Sequence, residues 1–404
     1  MIAITFADSI KCLAKMVKLY ITKGKGFRIE SGHPWVYNNE IQKMDGNPEP
    51  AEIVEVYNFK DEFIGRGYYN EKSQICCRIL TRDFNEEIDK DFFKRRISAA
   101  YEYRKQVGYT DNYRLVFGEA DQLSGLVIDK FSNVYVLQIL TLGMERWKND
   151  IVEIIEELFS PEGIYERNDV PVRVLEGLTE QKNFLSKPFS TKQVINECGV
   201  KFQIDIEQGQ KTGFFLDQKE NRMELEHIVK GASVLDCFTY TGSFAMNAAF
   251  YGAKEVIGYD ISEWAIEQAK QNAALNKFNQ CHFECVNAFD KLPELVKAKK
   301  QFDIVVLDPP AFTKNRSGIQ SALRGYKEIN LRGMRLTKPG GFLITFSCSH
   351  YMTPDYFFST LHEAAYDAGK TIRQVKYLQQ AKDHPVMWNV PETNYLKGYV
   401  LQVI

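Results

Sequence analysis

Val234-Leu235-Asp236-Cys237-Phe238-Thr239-Tyr240-Thr241-Gly242 reads as a short buried strand running into a turn of small and hydroxyl residues. Val256-Ile257-Gly258-Tyr259-Asp260 is a second apolar run that ends on a carboxylate, and Phe302-Asp303-Ile304-Val305-Val306-Leu307-Asp308-Pro309-Pro310 is a third, ending in Asp-Pro-Pro. β-Branched apolar runs separated by helix-length polar segments are what a parallel sheet with crossover helices requires. Open sheets of this kind bind ligands beyond the carboxyl ends of their strands, where Asp236, Asp260 and Asp308 fall. The pattern predicts an α/β, Rossmann-like half with strands at 234–238, 255–260, 282–287, 302–308 and 341–347 and helices near 242–251, 262–276 and 318–337. Two further strands are expected at 371–378 and 396–403. The ligand edge of this sheet is expected to hold a nucleotide-like cofactor.

Upstream, Cys198 to Glu207 reads as a strand leading into Gly209-Gln210-Lys211-Thr212-Gly213-Phe214-Phe215-Leu216-Asp217-Gln218, a turn and helix start suited to an anionic or zwitterionic ligand. Residues 86–190 read as an α+β module, opened by a helix from Asp89 to Val107 with Phe92, Phe93, Ile97, Ala100 and Tyr101 at helical spacing. Residues 18–85 carry short alternating strands, including Phe27-Arg28-Ile29, as in a small β-barrel. Lys18, Lys23, Lys25 and Arg28 interleave there with Tyr20, Phe27, Trp35 and Tyr37. That could make a phosphate-and-stacking surface for RNA, or only a core with solvated lysines. Residues 1–17 read as an extension, with Met16 a candidate alternative start.

With 404 residues, two or three cores are expected. A net charge of −2 means that any polyanion partner must be held by a local patch. The eight cysteines show no CxxC pair, which argues against a disulfide framework or a metal site. No apolar run approaches the roughly 20 residues needed to cross a bilayer, and no signal segment is apparent, so a cytoplasmic protein without membrane contact is expected.

A dinucleotide would need GxGxxG after the first strand, and ATP chemistry a Gly-Lys-Ser/Thr cradle. The turn here has one glycine, Gly242, and neither motif occurs. A cofactor without phosphates fits better, S-adenosylmethionine above all. Asp260 is placed to accept the ribose hydroxyls, with Ile261 beside it. Asn287-Ala288-Phe289, read as the end of the third strand, would flank the adenine. Phe214, Gln218, Arg222, Asp236, Phe238, Thr239, Thr241, Gly242 and Asp308 complete the expected cofactor set. Any one of these acids taken alone is as readily a helix cap.

Taken together, Gly32-His33-Pro34-Trp35, Gly213-Phe214-Phe215-Leu216-Asp217-Gln218, Asp236-Cys237-Phe238-Thr239-Tyr240-Thr241-Gly242, Asp308-Pro309-Pro310-Ala311-Phe312 and Ser347-Cys348-Ser349 carry a family resemblance. The chain resembles the class I methyltransferases with an N-terminal PUA domain that make 5-methylcytosine in bacterial 23S ribosomal RNA. The resemblance spans residues 18–404. It implies a PUA RNA-binding barrel at 18–85, a central α+β domain at 86–190 and a Rossmann-like class I methyltransferase domain at 191–404. It favours an RNA role for Lys23, Lys25, Arg28, His33 and Trp35, and its members tend to dimerise.

The chemistry such a family performs needs a thiol. Carbon 5 of cytosine is too weak a nucleophile to take a methyl group from a sulfonium until a thiolate adds at carbon 6. Cys348 closes the run Gly341–Ser347 and is the expected nucleophile, whereas Cys237 lies inside a strand pattern. Asp308 is expected to stabilise protonation at ring nitrogen 3. Pro309 would grip the base edge and Phe312 stack on it. Ala311 follows the two prolines, so no second cysteine is offered there, and the base that removes the carbon-5 proton is Asp308 or water. Two rivals stay open at this point: an exocyclic-amine methyltransferase using Asp-Pro-Pro without a thiol, and a non-catalytic RNA-binding assembly factor.

Overall fold

The computed structural model describes residues 16–313 and 315–404. The extension expected over 1–17, and with it the choice between Met1 and Met16, lies outside the described residues except for Met16 and Val17.

Seven strands form the sheet that carries the ligand edge: β1 (Ser233–Cys237), β2 (Glu255–Asp260), β3 (Cys281–Cys285), β4 (Phe302–Leu307), β5 (Thr337–Ser347), β6 (Ile372–Gln379) and β7 (Lys397–Val403). Their order is β3-β2-β1-β4-β5-β7-β6, with β7 antiparallel to both of its neighbours. The order reverses between β1 and β4, which opens a crevice at the carboxyl ends of those strands. Five helices cross over the sheet: α1 (Ser243–Phe250), α2 (Glu263–Asn276), α3 (Ala288–Lys297), α4 (Ile319–Leu336) and α5 (Pro354–Ala368). The expected strands and three helices lie within a few residues of these bounds, while α3 and α5 had no counterpart in the sequence reading. Ser262 caps α2 by accepting from the Ala265 N–H, and Gly242 enters α1 with φ of 85°, a left-handed conformation that suits glycine.

The N-terminal sheet has six strands in the order Trp35–Val36, Cys77–Thr81, Phe63–Tyr69, Ile53–Tyr57, Lys18–Ile21 and Ile41–Asp45. Phe27–Glu30 is one helical turn, not the strand expected there, because the backbone of Glu30 bonds back to Gly26. The central sheet has five strands, flanked by helices Lys90–Gln106 and Lys148–Phe159. Asp89 caps the first of these helices through the Phe92 N–H, 2.8 Å away.

A hairpin, Lys192–Glu197 with Val200–Asp205, follows. Its turn residues Cys198 and Gly199 both have positive φ, so the strand expected from Cys198 begins two residues later. Phe202 and Ile204 of the hairpin, Phe131, Val134 and Val136 of the central sheet, and Val234, Phe244 and Ile344 share one hydrophobic core. That shared core fixes the hairpin and the following 209–222 segment over the sheet edge. No helix among the described residues is long and apolar enough to cross a membrane.

Candidate active site

The carboxyl ends of β1, β2, β4 and β5 bring Asp236, Asp260, Asp308 and Cys348 to one edge. Asp236 is fully buried. Its Oδ2 accepts from the Thr239 hydroxyl and from the Ala245 N–H at 3.1 Å, while Oδ1 has no protein partner. Burial, and after it the charges of Asp308 and Asp260, push this carboxyl up to about 7 against the Thr239 hydrogen bond.

Phe238 and Tyr240 both take positive φ, 63° and 50°. Such backbone strain persists only where the surroundings fix it. Here the Thr239 N–H donates to the Tyr259 carbonyl, and the Tyr240 N–H to Asp260 Oδ2, each at 2.9 Å. The loop is thereby pinned to the end of β2. Asp260 Oδ1 also accepts from the Ser262 N–H at 2.9 Å, and Ile261 beside it is exposed.

The third strand ends at Cys285, so Asn287 is not a strand end. It caps α3 by accepting from the Phe289 N–H at 3.0 Å, and Ala288 is buried in the first turn. Phe289 stands between Phe238 and Phe312, with ring centroids 6.3 and 5.6 Å apart. Phe312 in turn packs on Tyr326 at 4.4 Å, and a side chain at Gly325 would press on its ring.

The 209–222 segment closes the edge from above. The Gln210 N–H donates to the Tyr240 hydroxyl at 2.7 Å, and Gln218 Nε2 donates to Asp308 Oδ1 at 3.0 Å. Asp217, next in sequence, accepts from Lys211 Nζ and from the Tyr395 hydroxyl. Burial acts to raise its pKa, but Lys211, His384 and that hydroxyl outweigh burial and hold it well below the usual carboxylate range. Burial, then the charge of Asp217, push Asp308 up to about 7. A carboxyl poised there can exchange a proton at neutral pH.

Not every expected cofactor residue turns toward this crevice. Arg222 is fully buried and ion-pairs with Glu197 at 2.6 Å, with a further bond to the Phe215 carbonyl at 3.0 Å. Phe214 packs against Phe202 and under the Arg222 guanidinium. These two build the platform beneath the 213–218 turn.

Cys348 is part-buried, its Sγ 3.9 Å from the Pro309 carbonyl. The flanking serines point away from the crevice. Ser347 Oγ donates to the Tyr326 hydroxyl and Ser349 Oγ to the Thr313 carbonyl, both at 3.0 Å. A cysteine between two anchored serines is therefore aimed at the Asp-Pro-Pro bend. Burial, then the charge of Asp308, raise its thiol to about 11, so the resting group is protonated. His350 is exposed at the surface, two residues on.

Lys397, which sequence reasoning did not select, faces Ser347 across the β5–β7 ladder. Its buried Nζ donates to the carbonyls of Ser349 and Met352, both at 2.6 Å. A lysine at the head of the apolar run Leu396–Val403 was the available signal. Tyr326, inside α4, carried no local signal.

The expected RNA residues divide. Lys23 and Lys25 are exposed, Lys23 above the Phe59 ring and Lys25 bonded to the Asn39 carbonyl. Arg28, His33 and Trp35 instead spend their polar atoms inside the protein. Arg28 pairs with Glu40 at 2.9 Å and donates to His33 Nδ1 at 2.6 Å. That leaves His33 Nε2 to donate to Glu392 Oε2 at 3.0 Å, while Trp35 Nε1 donates to Glu119 at 2.8 Å. Gly32-His33-Pro34-Trp35 is a joint between the N-terminal sheet, the central module and the segment between β6 and β7, because every ring nitrogen is already used.

Among the described residues no cluster of three or more His, Cys, Asp or Glu side chains is placed to hold a metal ion. S-adenosylmethionine does fit: an orphaned buried carboxylate oxygen and neighbouring acids suit its cationic groups, and no phosphate cradle is needed. This fold and site define an S-adenosylmethionine-dependent methyltransferase with a PUA-like domain. Residues 180–400 match the S-adenosylmethionine-dependent methyltransferase family and residues 19–82 the PUA-like domain. The ribosomal RNA large subunit methyltransferase I of Aliivibrio fischeri is 40% identical over 96% of this chain and all of its own. That of Shewanella amazonensis is 40% identical over 96% of this chain and 99% of its own. The chain belongs to the ribosomal RNA large subunit methyltransferase I family. The methyltransferase SMU.776, solved with SAH, shares the fold across 96% of this chain and all of its own, with a TM-score of 0.83 at 19% identity.

Proposed function

We propose that the chain methylates carbon 5 of a cytosine in large-subunit ribosomal RNA through a covalent bond to Cys348, an activity that belongs in the cytoplasm. The observation that carries this reading is the 3.9 Å approach of Cys348 Sγ to the Pro309 carbonyl, with both neighbouring serines tied back. An exocyclic-amine methyltransferase would have no use for a thiol held there. The ribosomal RNA target follows from the names of the relatives.

S-adenosylmethionine, held by Asp236, Asp260, the 238–242 loop and the Phe289 edge, supplies an electrophilic methyl group. The Cys348 thiol loses its proton to solvent and its sulfur bonds carbon 6 of the base. The carbon 5–carbon 6 π electrons shift into the ring as protonated Asp308 gives a proton to nitrogen 3. Carbon 5 then takes the methyl. Loss of its proton to a water, with the nitrogen-3 proton returning to Asp308, or to the Asp308 carboxylate, with the nitrogen-3 proton leaving to solvent, restores the double bond and expels the sulfur as a thiolate. Lys23 and Lys25 offer phosphate contacts on the PUA-like domain.

The test is methyl transfer to ribosomal RNA from a strain lacking the enzyme, with the modified base identified by mass spectrometry. Cys348→Ala should abolish transfer while calorimetry still shows cofactor binding. Undiminished transfer by that variant would favour the amine-methylating reading, and no cofactor binding by the intact protein would favour an assembly factor.

A further inference from the structure

Across the sheet edge the cofactor residues lie on β1 and β2, Asp308 on β4 and Cys348 on β5. The next strand is β7, beginning at Lys397, and then β6, which ends at Gln379. Because β6 runs parallel to β5, the connecting segment 380–396 crosses this same edge on the far side of the nucleophile from the cofactor. A cavity of about 490 Å³ opens there, lined by His350, Met352, Tyr377, Met387, Trp388 and Lys397. Its size suits a nucleoside-sized group.

The segment is firmly held. Asn389 Nδ2 donates to the Gly32 carbonyl at 2.7 Å, Glu392 accepts from His33, and Asp383 Oδ2 accepts from the Arg114 N–H at 2.8 Å. Trp388 nevertheless stands 98% exposed at the cavity mouth. A whole indole in water on an anchored loop offers a free aromatic face for a ligand to stack on. We propose that Trp388 and this cavity form a subsite for an unpaired nucleotide of the RNA flanking the target base, with the base stacked on the indole. Two features favour RNA as the occupant. Lys397 both lines the cavity and grips the turn after Cys348, so the subsite adjoins the expected position of the target base. Aromatic faces are also the usual platform for unpaired bases. The proposal rests on the RNA-methylating reading above and adds to it a residue that holds the flanking nucleotide by stacking.

The test pairs two measurements on Trp388→Ala and Trp388→Phe. The first is binding of a short single-stranded oligoribonucleotide with one cytosine flanked by 2-aminopurine, followed by quenching of the fluorophore. The second is KM and kcat for ribosomal RNA. Trp388→Ala should weaken oligonucleotide binding and raise KM roughly ten-fold, as loss of one base–aromatic stack does, with kcat within about two-fold. Trp388→Phe should restore most of both. If Trp388→Ala binds the oligonucleotide with unchanged affinity and quenching and keeps its KM, the subsite is overturned. If the intact protein transfers no methyl to carbon 5 but the alanine variant still loses oligonucleotide binding, the subsite stands and the reaction assignment fails instead.

Discussion

Ser349 Oγ donates a 3.0 Å hydrogen bond to the Thr313 carbonyl, which ties the residue after the nucleophile to the segment that follows Asp308-Pro309-Pro310. The two halves of the expected catalytic pair, the Asp-Pro-Pro bend and the Cys348 turn, are thus held in one register. Ser349→Ala should lower kcat about ten-fold, leave cofactor affinity unchanged, and cost only about 1 kcal/mol of stability, the net worth of one such bond. Stopped-time methylation assays and thermal unfolding check both halves of that statement.

Asp308 sets a pH dependence whose sign can be fixed. Its carboxyl is raised to about 7 in the folded chain, first by burial and then by Asp217, so the native state binds this proton more tightly than the unfolded chain. Its contribution to stability is full below the ordinary carboxylate range and is lost as pH rises toward and through 7. Asp308→Asn removes the ionisation and keeps an acceptor for Gln218. The variant should match the wild type in unfolding free energy near pH 4 and exceed it near pH 8 by about 1–3 kcal/mol, allowing for partial exposure of the side chain. Methyl transfer should be lost at every pH. Unfolding curves that stay parallel across the range would remove this assignment.

Lys397 holds the Ser349 and Met352 carbonyls, and the Ser349 carbonyl accepts from the Met352 N–H as well, at 3.2 Å. Lys397→Met should strip the Met352 carbonyl of that donor and leave the Ser349 carbonyl with the Met352 N–H, cost about 1–3 kcal/mol, and lower kcat more than it raises the KM for RNA, because the Cys348 turn loosens. Lys397→Arg, which replaces a compact ammonium by a planar fork, should rescue it only in part. Comparison of kcat and KM for the two variants tests the positioning role.

Arg222 and Glu197 form a buried ion pair, closed at 2.6 Å, beneath the 213–218 turn. Arg222→Met should lower stability by about 3–5 kcal/mol by stranding the Glu197 charge, and the double variant with Glu197→Gln should recover much of it. Protein that remains folded should bind S-adenosylmethionine nearly normally. A large loss of cofactor affinity at unchanged stability would return Arg222 to the cofactor set.

What was legible in the sequence followed from local pattern. The runs around Val234, Val256, Ile304 and Leu343 were recognisable as parallel-sheet strands because both faces are covered and the side chains are β-branched or large. Helix α5 could have been read from Thr353 as cap, Pro354 in the first turn and Gly369 just past the end. Helix α3 was masked because Pro293 interrupts it and Asn287 follows the strand so closely. The strand Ile41–Asp45 pairs with Lys18–Ile21 at an exposed edge and lacks an apolar face to announce it. The site divides in the same way. Residues whose role depends on strand ends, such as Asp260, Asp308 and Cys348, could be located from spacing. Partners chosen across the fold could not: nothing near His33 indicates Glu392, 359 residues away, and nothing near Arg222 indicates that its charge belongs to Glu197.

The most direct test of the central claim uses RNA in which 5-fluorocytosine replaces cytosine. A fluorine at carbon 5 cannot leave as a proton does, so an enzyme that bonds carbon 6 stalls as a covalent complex after methyl transfer. The account predicts a denaturant-resistant protein–RNA adduct that requires S-adenosylmethionine, maps by mass spectrometry to Cys348, and is absent from Cys348→Ala. Methylation of ordinary RNA at carbon 5 with no such adduct, or an adduct on another residue, would contradict it.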